Sequence, residues 1–380
     1  MSSSGFAALD RRAIATIRAS GRHLLVQGAM GLHSSDGLAG KVASAPSGRL
    51  ACVGTISGVG KTPELLRAEL RRAAAEAGGG YVGVNLMAAI DRRDFIDLAR
   101  VAIEERASFL VQGAGISREI VRWCRESGTP FVGIVSSGRL AAMYERWGAE
   151  FLIAEGAGAG GHIGDIHLPL TSLVEEVLAQ TTLPVVAAGG IDAGDAAALL
   201  ATGVAGLQLA TRFIACSDGD AHAGFKEMHL GRSERDVVVI TSCVKGMKAR
   251  AVRNPFTEAL AAGECFPPRS KRWFFGAAGY RGRRSSCVEC LGQGLCLCQA
   301  SGFRKSFCIQ DALLRAVKLG DREGGLFYSG QSVTQIPERT IAELEPAWKI
   351  IAGIEDGIVR WEQAHGSIPL PGGVLAAADG

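Results

Sequence analysis

Eight short apolar runs, each ending in small or polar residues, recur between residues 24 and 213 of this 380-residue chain. Strands that are apolar on both faces are typical of a parallel sheet covered by helices. Stretches with helical periodicity lie between them, and several begin at Ser, Thr or Asp and end at Gly. The eight runs are 24–30, 49–56, 81–87, 109–115, 131–137, 151–156, 184–190 and 206–213.

Eight strand–helix units predict an α/β fold, the (β/α)8 TIM barrel. The alternative is a doubly wound sheet, but the G-x-G-x-x-G sequence expected after its first strand is absent. The alternation stops near residue 235. We therefore predict a barrel domain over 15–235, an inserted α-rich, Cys-containing substrate or lid subdomain over 236–322, C-terminal helices returning to the barrel over 323–360, and a tail over 361–380.

Composition narrows the class of protein further. Hydrophobic residues make up 47% of the chain and charged residues 21%, the balance of a soluble globular protein. A formal net charge of +3 is too small to indicate nucleic acid or a membrane surface as a partner. No apolar run reaches the roughly 18 residues of a membrane span. The amino terminus lacks the apolar region and cleavage site of a signal peptide, so we expect a cytoplasmic protein.

Glycine-rich turns follow the last two predicted strands. In a barrel the functional residues lie where the strands end, and here the sequences are "VAAGGID" (186–192) and "LATRF" (209–213). Exposed backbone N–H groups at such turns bind phosphate. Gly189, Gly190, Ala210 and Thr211 are therefore predicted to form a phosphate cradle. The alternative is that the glycines only make tight turns.

Three earlier strands have glutamine, asparagine or methionine at or near their ends. Gln27 and Met30 follow the first, Asn85 lies in the third and Gln112 in the fourth. Buried polar groups need partners, which a planar ligand ring or a neighbouring backbone group supplies. Met30 has the further alternative of filling the core.

These sequences resemble one known family. "VQGAMG", "VGVNLM", "AEGAGAGGHIG", "PVVAAGGI", "GLQLATRF" and "FKE" are similar, in this order, to the nitronate monooxygenase (2-nitropropane dioxygenase) family and its FMN-dependent enoyl-acyl-carrier-protein reductase relatives. The resemblance covers roughly residues 20–230, with echoes in "KARAVRN" (248–254) and "SGQSVTQI" (329–336). It implies an FMN-binding barrel with the phosphate on the predicted cradle. The other residues it places at the cofactor are Gln27, Met30, Asn85, Gln112, Glu155, Gly161 and Gln331.

The same resemblance points to His162 as the catalytic residue, since the family's glycine-rich loop ends in a histidine near the flavin. Imidazole titrates near neutral pH and can accept or deliver a proton. The alternative is a loop histidine bonded to backbone; His167, five residues on, is expected to be structural. The family usually reads E-G-x-E-A-G-G-H, whereas this chain has Gly158 in place of the second glutamate. The missing charge predicts that the substrate and the tuning of His162 differ from the family norm.

A Cys-rich stretch lies in the predicted subdomain. A C-x-x-C followed by further cysteines within about twenty residues has the spacing of a zinc or iron–sulfur site. The alternative is a set of reduced thiols without metal. The nearby "RSKRWFFGAAGYRGRR" (269–284) suggests a lid over a phosphorylated cofactor or a carrier protein, although a solvated basic loop is favoured. The five candidate ligands are Cys287, Cys290, Cys296, Cys298 and Cys308.

Together these features favour an FMN-dependent oxidoreductase of the nitronate monooxygenase type, with His162 transferring a proton of a nitronate-like or related carbanionic substrate. The alternative is an NAD(P)H- and FMN-dependent reductase of an enoyl-thioester or other activated alkene. A second alternative is a non-catalytic partner protein that kept the flavin fold. We expect a small-molecule or carrier-bound substrate and neither nucleic acid nor membrane as a partner; a homodimer stays open.

Overall fold

The computed structural model describes residues 6–33, 35–87, 92–113, 117–164, 168–244, 247–262 and 309–369. Eight parallel strands close into a barrel in the order β1-β2-β3-β4-β5-β6-β8-β9. Each overlaps one of the eight predicted apolar runs, so the predicted (β/α)8 barrel is confirmed. The strands are β1 (His23–Gln27), β2 (Leu50–Ser57), β3 (Tyr81–Met87), β4 (Leu110–Gly113), β5 (Phe131–Val135), β6 (Phe151–Glu155), β8 (Val185–Ala188) and β9 (Gly206–Leu209).

Helices connect the strands, and α1 precedes the first of them. In α3 the Thr62 side chain accepts a hydrogen bond from the Leu65 N–H, Pro63 begins the helix, and Gly78 ends it with φ +56°. The helices are α1 (Arg11–Ala19), α2 (Asp36–Ala43), α3 (Pro63–Ala77), α4 (Arg92–Glu104), α5 (Arg118–Ser127), α6 (Gly138–Trp147), α7 (Leu170–Leu178), α8 (Ala196–Ala201) and α9 (Thr211–Ile214).

Strand pleating separates two apolar layers. Val26, Phe109 and Ile153 belong to a cluster that fills the barrel interior. Residues one position away, such as Leu25 and Leu110, pack instead against the helices. Because successive strand residues face opposite sides of a sheet, this alternation decides which strand-end side chains reach the interior.

A small antiparallel sheet lies outside the barrel. It has the order β10-β11-β7, where β7 is Gly161–Ile163, β10 is Val237–Val244 and β11 is Met247–Val252. The described beginning of the predicted subdomain is therefore a β-hairpin, followed by one helix. The remaining helices are α10 (Ala223–Glu227), α11 (Pro255–Ala261), α12 (Ile309–Leu314) and α13 (Ala347–His365).

The C-terminal helix α13 returns to the barrel. Its apolar face, with Ile350, Ile351 and Ile354, joins the cluster between the strands and the helices. Within the described ranges, no helix combines the length and apolar character needed to cross a bilayer. The predicted domain boundaries stay predictions.

Candidate active site

The glycine-rich stretch after β6 leads directly into β7, which carries His162. Gly161 has φ +73°, a left-handed conformation that favours glycine. His162 then pairs with Ala249 of β11. The histidine therefore lies on a hydrogen-bonded strand, where the sequence pattern predicted a loop.

His162 is half-buried beside an aromatic side chain from the C-terminal part of the chain. Its Nε2 lies 3.4 Å from the Tyr328 hydroxyl, and the two rings meet edge to face with centroids 5.4 Å apart. Burial lowers the pKa of His162 to about 4. The imidazole is therefore neutral near pH 7, the form that accepts a proton.

Arg250 of β11 binds the glycine-rich loop that follows β6. Its Nη1 donates hydrogen bonds to the Ala157 carbonyl and, at 2.8 Å, to the Ala159 carbonyl. The side chain is buried, and burial lowers its pKa. Hydrogen bonds from a charged donor are stronger than neutral ones, so the loop has a well-defined path into β7.

The segment 329–331 joins this loop to the predicted phosphate cradle. The Gly330 N–H donates to Thr211 Oγ1 at 2.9 Å, and the Gln331 N–H donates to the Gly158 carbonyl at 3.0 Å. Gly189 and Gly190, which have φ +100° and +79°, lie against the same loop. Four segments that are distant in sequence therefore meet at one place: the loop after β6, the turn at 189–190, Thr211 and residues 329–331.

Gly158 lies at the centre of this meeting point. A Cβ at this position would come within 2.9 Å of the Gly190 Cα, 3.0 Å of the Gly189 carbonyl oxygen and 2.8 Å of Gln331 Oε1. Two of these neighbours are backbone atoms that have little freedom to move. The glutamate that the family usually has here would need a different arrangement of these turns.

Glu155 ends β6 in the interior row of the barrel. It lies two residues after Ile153, whose side chain fills the interior, so pleating directs both to the same side. Burial raises the pKa of Glu155 to about 7. The carboxyl is therefore partly protonated near neutral pH and can donate or accept a hydrogen bond.

Two of the predicted cofactor residues lie at the end of β1. The amide of Gln27 is buried; it donates to the Gly28 carbonyl and accepts a hydrogen bond from the Thr55 N–H at 3.1 Å. Met30 is half-buried against two apolar clusters. Gln27 therefore has backbone partners within the protein, and Met30 has apolar ones. These contacts are the alternatives to flavin contact named for the two residues.

Asn85 and Gln112 lie on adjacent strands but on different faces. A Cβ at Gly113, in the interior row of β4, would come within 3.4 Å of Asn85 Oδ1. Gln112 is paired with Gly133, whose added Cβ would meet the Tyr144 ring of α6. Pleating therefore directs Gln112 toward the helices, where both amide atoms are buried without a hydrogen-bond partner. Its predicted flavin contact stays a prediction.

The residues present at the cradle fit an FMN phosphate. Gly189 and Gly190 have no side chain, and a Cβ at Gly189 would approach the Gly156 carbonyl oxygen to 2.7 Å. Ala210 directly precedes the buried Thr211, whose hydroxyl oxygen accepts the Gly330 N–H. The backbone N–H groups of left-handed glycines and a threonine hydroxyl are hydrogen-bond donors of the kind that phosphate sites use.

Some predicted residues lie outside the described ranges. They include His167 and the predicted metal ligands Cys287, Cys290, Cys296, Cys298 and Cys308. Among the residues that are described, no group of three or more His, Cys, Asp or Glu side chains is arranged to hold a metal ion. The zinc or iron–sulfur site stays a prediction.

Sequence reasoning missed Arg250 and Tyr328. A charged residue between two alanines in "KARAVRN" was a usable signal, because Arg in a buried strand needs a specific partner. Tyr328 directly precedes the "SGQS" stretch, but nothing local connects it to His162, which is 166 residues earlier.

Fold and site together define a (β/α)8-barrel protein whose polar groups gather where the parallel strands end. The family model described as nitronate monooxygenase matches residues 81–344, and the chain belongs to this family.

Individual relatives agree with this assignment. The chain is 32% identical over 184 residues to the (3aS,4S,5R,7aS)-5-hydroxy-7a-methyl-1-oxo-octahydro-1H-indene-4-carboxyl-CoA dehydrogenase of Mycobacterium tuberculosis, covering 48% of this chain and 51% of the relative. It is 32% identical over 171 residues to a nitronate monooxygenase of Paraburkholderia phytofirmans, covering 43% and 46%. The chain thus spans about half the length of these relatives.

A solved structure matches over a longer range. FabK from Thermotoga maritima superposes with a TM-score of 0.72 at 28% identity, covering 93% of this chain and 97% of that one. The similarity therefore extends beyond the barrel to nearly the whole chain.

Proposed function

We propose that this chain is an FMN-dependent oxidoreductase of the nitronate monooxygenase type, in which His162 exchanges a proton with a carbanionic substrate such as a nitronate. The observation that carries the proposal is the half-buried His162, which follows the glycine-rich loop after β6, pairs with β11 and lies 3.4 Å from the Tyr328 hydroxyl. FMN, when bound, supplies the ring that accepts electrons from the substrate.

Residues of the four converging segments would hold the cofactor. Gly189, Gly190 and Thr211 would bind its phosphate, and Glu155 and Gln331 would lie near the rest of the cofactor. Support comes from the left-handed glycines and from the buried position of Thr211.

The chain's own contribution to the chemistry is proton transfer and orientation. A neutral imidazole accepts the proton of an acidic C–H group without first losing one of its own. The two hydrogen bonds from Arg250 keep the loop, and with it His162, in a single position.

A second candidate is oxidation or reduction of a thioester substrate, with NAD(P)H as electron donor in the reducing direction. Two similarities favour it: the M. tuberculosis relative is named as a carboxyl-CoA dehydrogenase, and FabK matches most of the chain. The same neutral His162 would then exchange a proton with a carbon near the thioester.

One spectroscopic experiment separates these candidates. The purified protein should show a flavin absorption spectrum, which is then followed anaerobically after adding NADPH or an alkyl nitronate. Bleaching only by the nitronate supports the monooxygenase, and rapid bleaching by NADPH supports the reductase. A colourless protein that does not bind added FMN would refute both.

The His162→Gln variant tests the role of the histidine. It should bind FMN as tightly as the wild type but lose about 100-fold or more in kcat, the typical contribution of general acid–base catalysis. Unchanged turnover in this variant would refute the role of His162 while leaving the cofactor assignment intact.

A further inference from the structure

The side chains of Tyr328 and His162 lie on the same face of the small sheet β10-β11-β7. His162 is paired with Ala249, and Tyr328 forms an antiparallel bridge with Ala251. Ala249 and Ala251 are two residues apart on β11, so they share one face. Residues directly opposite each other share that face too. The two alanines leave room for both rings.

The backbone of Tyr328 is anchored on two sides. Its carbonyl lies 3.2 Å from His229 Nε2, and the preceding Phe327 carbonyl accepts a hydrogen bond from the Val252 N–H at 2.8 Å. His229 is itself buried. The tyrosine ring is therefore attached to a fixed stretch of backbone.

Gly161 lies against the ring. A Cβ at Gly161 would make an ordinary van der Waals contact with Tyr328 Cδ2 at 3.5 Å, whereas the backbone φ of +73° favours glycine at this position. This glycine directly precedes His162. The loop therefore brings backbone and imidazole under the same aromatic ring.

We propose that Tyr328 positions His162 for proton transfer: its hydroxyl oxygen accepts the Nε2–H, so that Nδ1 is the nitrogen that exchanges a proton with the substrate. The inference rests on the proposed function. In the oxidising direction the substrate C–H proton moves to the Nδ1 lone pair, its electron pair stays on carbon, and Nε2 keeps its proton against the tyrosine oxygen. In the reducing direction a proton first taken up from water at Nδ1 moves to the carbanionic carbon, whose electron pair forms the new C–H bond, and the neutral imidazole with its Nε2–H remains.

The edge-to-face ring contact and the hydroxyl contribute separately, and Tyr328→Phe removes only the hydroxyl. The matched control is Tyr81→Phe, because Tyr81 begins β3 at the opposite end of the barrel. Both variants keep an aromatic ring and should fold like the wild type.

Nitrogen-15 NMR of histidine-labelled protein tests the contact without any turnover. In the wild type, His162 should show a protonated Nε2, with an attached proton protected from solvent exchange, and an unprotonated Nδ1. His162→Gln assigns the signals by their loss. Tyr328→Phe should remove the protection, whereas Tyr81→Phe should keep it. An unprotonated Nε2 in the wild type, or an unchanged signal in Tyr328→Phe, would overturn the proposal.

Steady-state kinetics give the second measurement. Tyr328→Phe should lower kcat by about 10- to 100-fold, below the full contribution of an acid–base group, with KM within about twofold. Equal kcat values in both variants would also overturn the proposal. If the wild type turns over neither candidate substrate, the proposed function fails, and the NMR result still decides the arrangement at His162.

Discussion

Arg250 donates a hydrogen bond from Nη1 to the Ala159 carbonyl at 2.8 Å, while its own carbonyl accepts one from the Ser329 N–H at 3.2 Å. One residue of β11 therefore contacts both the glycine-rich loop and the C-terminal segment. The same Nη1 also donates to the Ala157 carbonyl. The guanidinium therefore binds two carbonyls of the loop that are two residues apart.

Arg250→Lys should lower both stability and turnover. A lysine side chain is shorter than that of arginine, so its ammonium will not reach both carbonyls from the same backbone position. We expect the free energy of unfolding to fall by about 1–3 kcal/mol, the cost of a buried hydrogen bond to a charged group. Urea denaturation measures this change.

Arg253→Lys is the matched control. Arg253 lies just beyond the end of β11, is exposed, and donates to the Arg235 carbonyl. The control should change the unfolding free energy by less than about 0.5 kcal/mol. Equal losses in the two variants would contradict a special role for Arg250.

Gly158→Ala should destabilise the protein and weaken FMN binding. The new Cβ would meet the Gly190 Cα and the Gly189 carbonyl oxygen at 2.9 and 3.0 Å, which forces the cradle turn to move. Overpacking of this kind costs about 1–3 kcal/mol. Thermal unfolding and fluorescence titration with FMN measure the two effects, and Gly158→Glu should be more severe.

Gly353→Ala is the control for Gly158→Ala. This glycine has space around it, so the substitution should stabilise the protein. Gly353 lies within α13, and an added Cβ would have no atom within 4 Å. Alanine should therefore stabilise this helix by about 0.5–1 kcal/mol. If Gly158→Ala behaved like Gly353→Ala, the close contact at the cradle would be refuted.

Thr211→Val should weaken FMN binding about tenfold or more. Valine keeps the shape of the buried threonine but removes the hydroxyl, whose oxygen accepts the Gly330 N–H and whose hydrogen would donate to the FMN phosphate. Affinity falls because the hydrogen bond to the bound phosphate is lost. Such a loss costs about 1–3 kcal/mol, and about 1.4 kcal/mol corresponds to a factor of ten in affinity.

Thr16→Val is its control, since Thr16 lies on α1 and its hydroxyl donates to the Arg12 carbonyl in an exposed bond. Isothermal titration with FMN should give the wild-type affinity for this variant. An unchanged FMN affinity in Thr211→Val would remove Thr211 from the predicted cradle.

The barrel could be predicted because its strands and helices alternate locally along the chain. The same local order predicted that Gly189, Gly190 and Thr211 would lie together, since neighbouring parallel strands end at one edge. The sheet that holds His162 could not be predicted this way. β7 pairs with β11 across a long stretch of chain, and that register decides the neighbours of His162.

Side-chain direction was the other limit. Gln112 lies at a strand end, as predicted, but a strand end alone does not say which face a residue occupies. Counting from Phe109 and Val111 in the interior cluster puts Gln112 on the helix-facing side. The same counting from Ile153 shows that Glu155 is directed inward. The pH dependence of stability in a Glu155 variant therefore tests this position.

Glu155→Gln should change how stability depends on pH in the FMN-free protein. Burial raises the pKa of Glu155 from 4.5 to about 7, so between these values the folded state binds more protons than the unfolded state. The stabilisation from the protonated carboxyl is fully present below pH 4.5 and is lost as pH rises through 7, by about 3 kcal/mol. Glutamine does not ionise, so the variant should gain on the wild type as pH rises.

Urea denaturation at pH 5 and pH 8 measures this difference. Buried histidines with a pKa of about 4, such as His33 and His229, have the opposite pH dependence, but they are present in both proteins and cancel in the comparison. The exposed Glu234, changed to Gln, is the control and should follow the wild type at both pH values. Parallel stability curves for Glu155→Gln and wild type would show that the carboxyl is solvated, and would refute its burial at the end of β6.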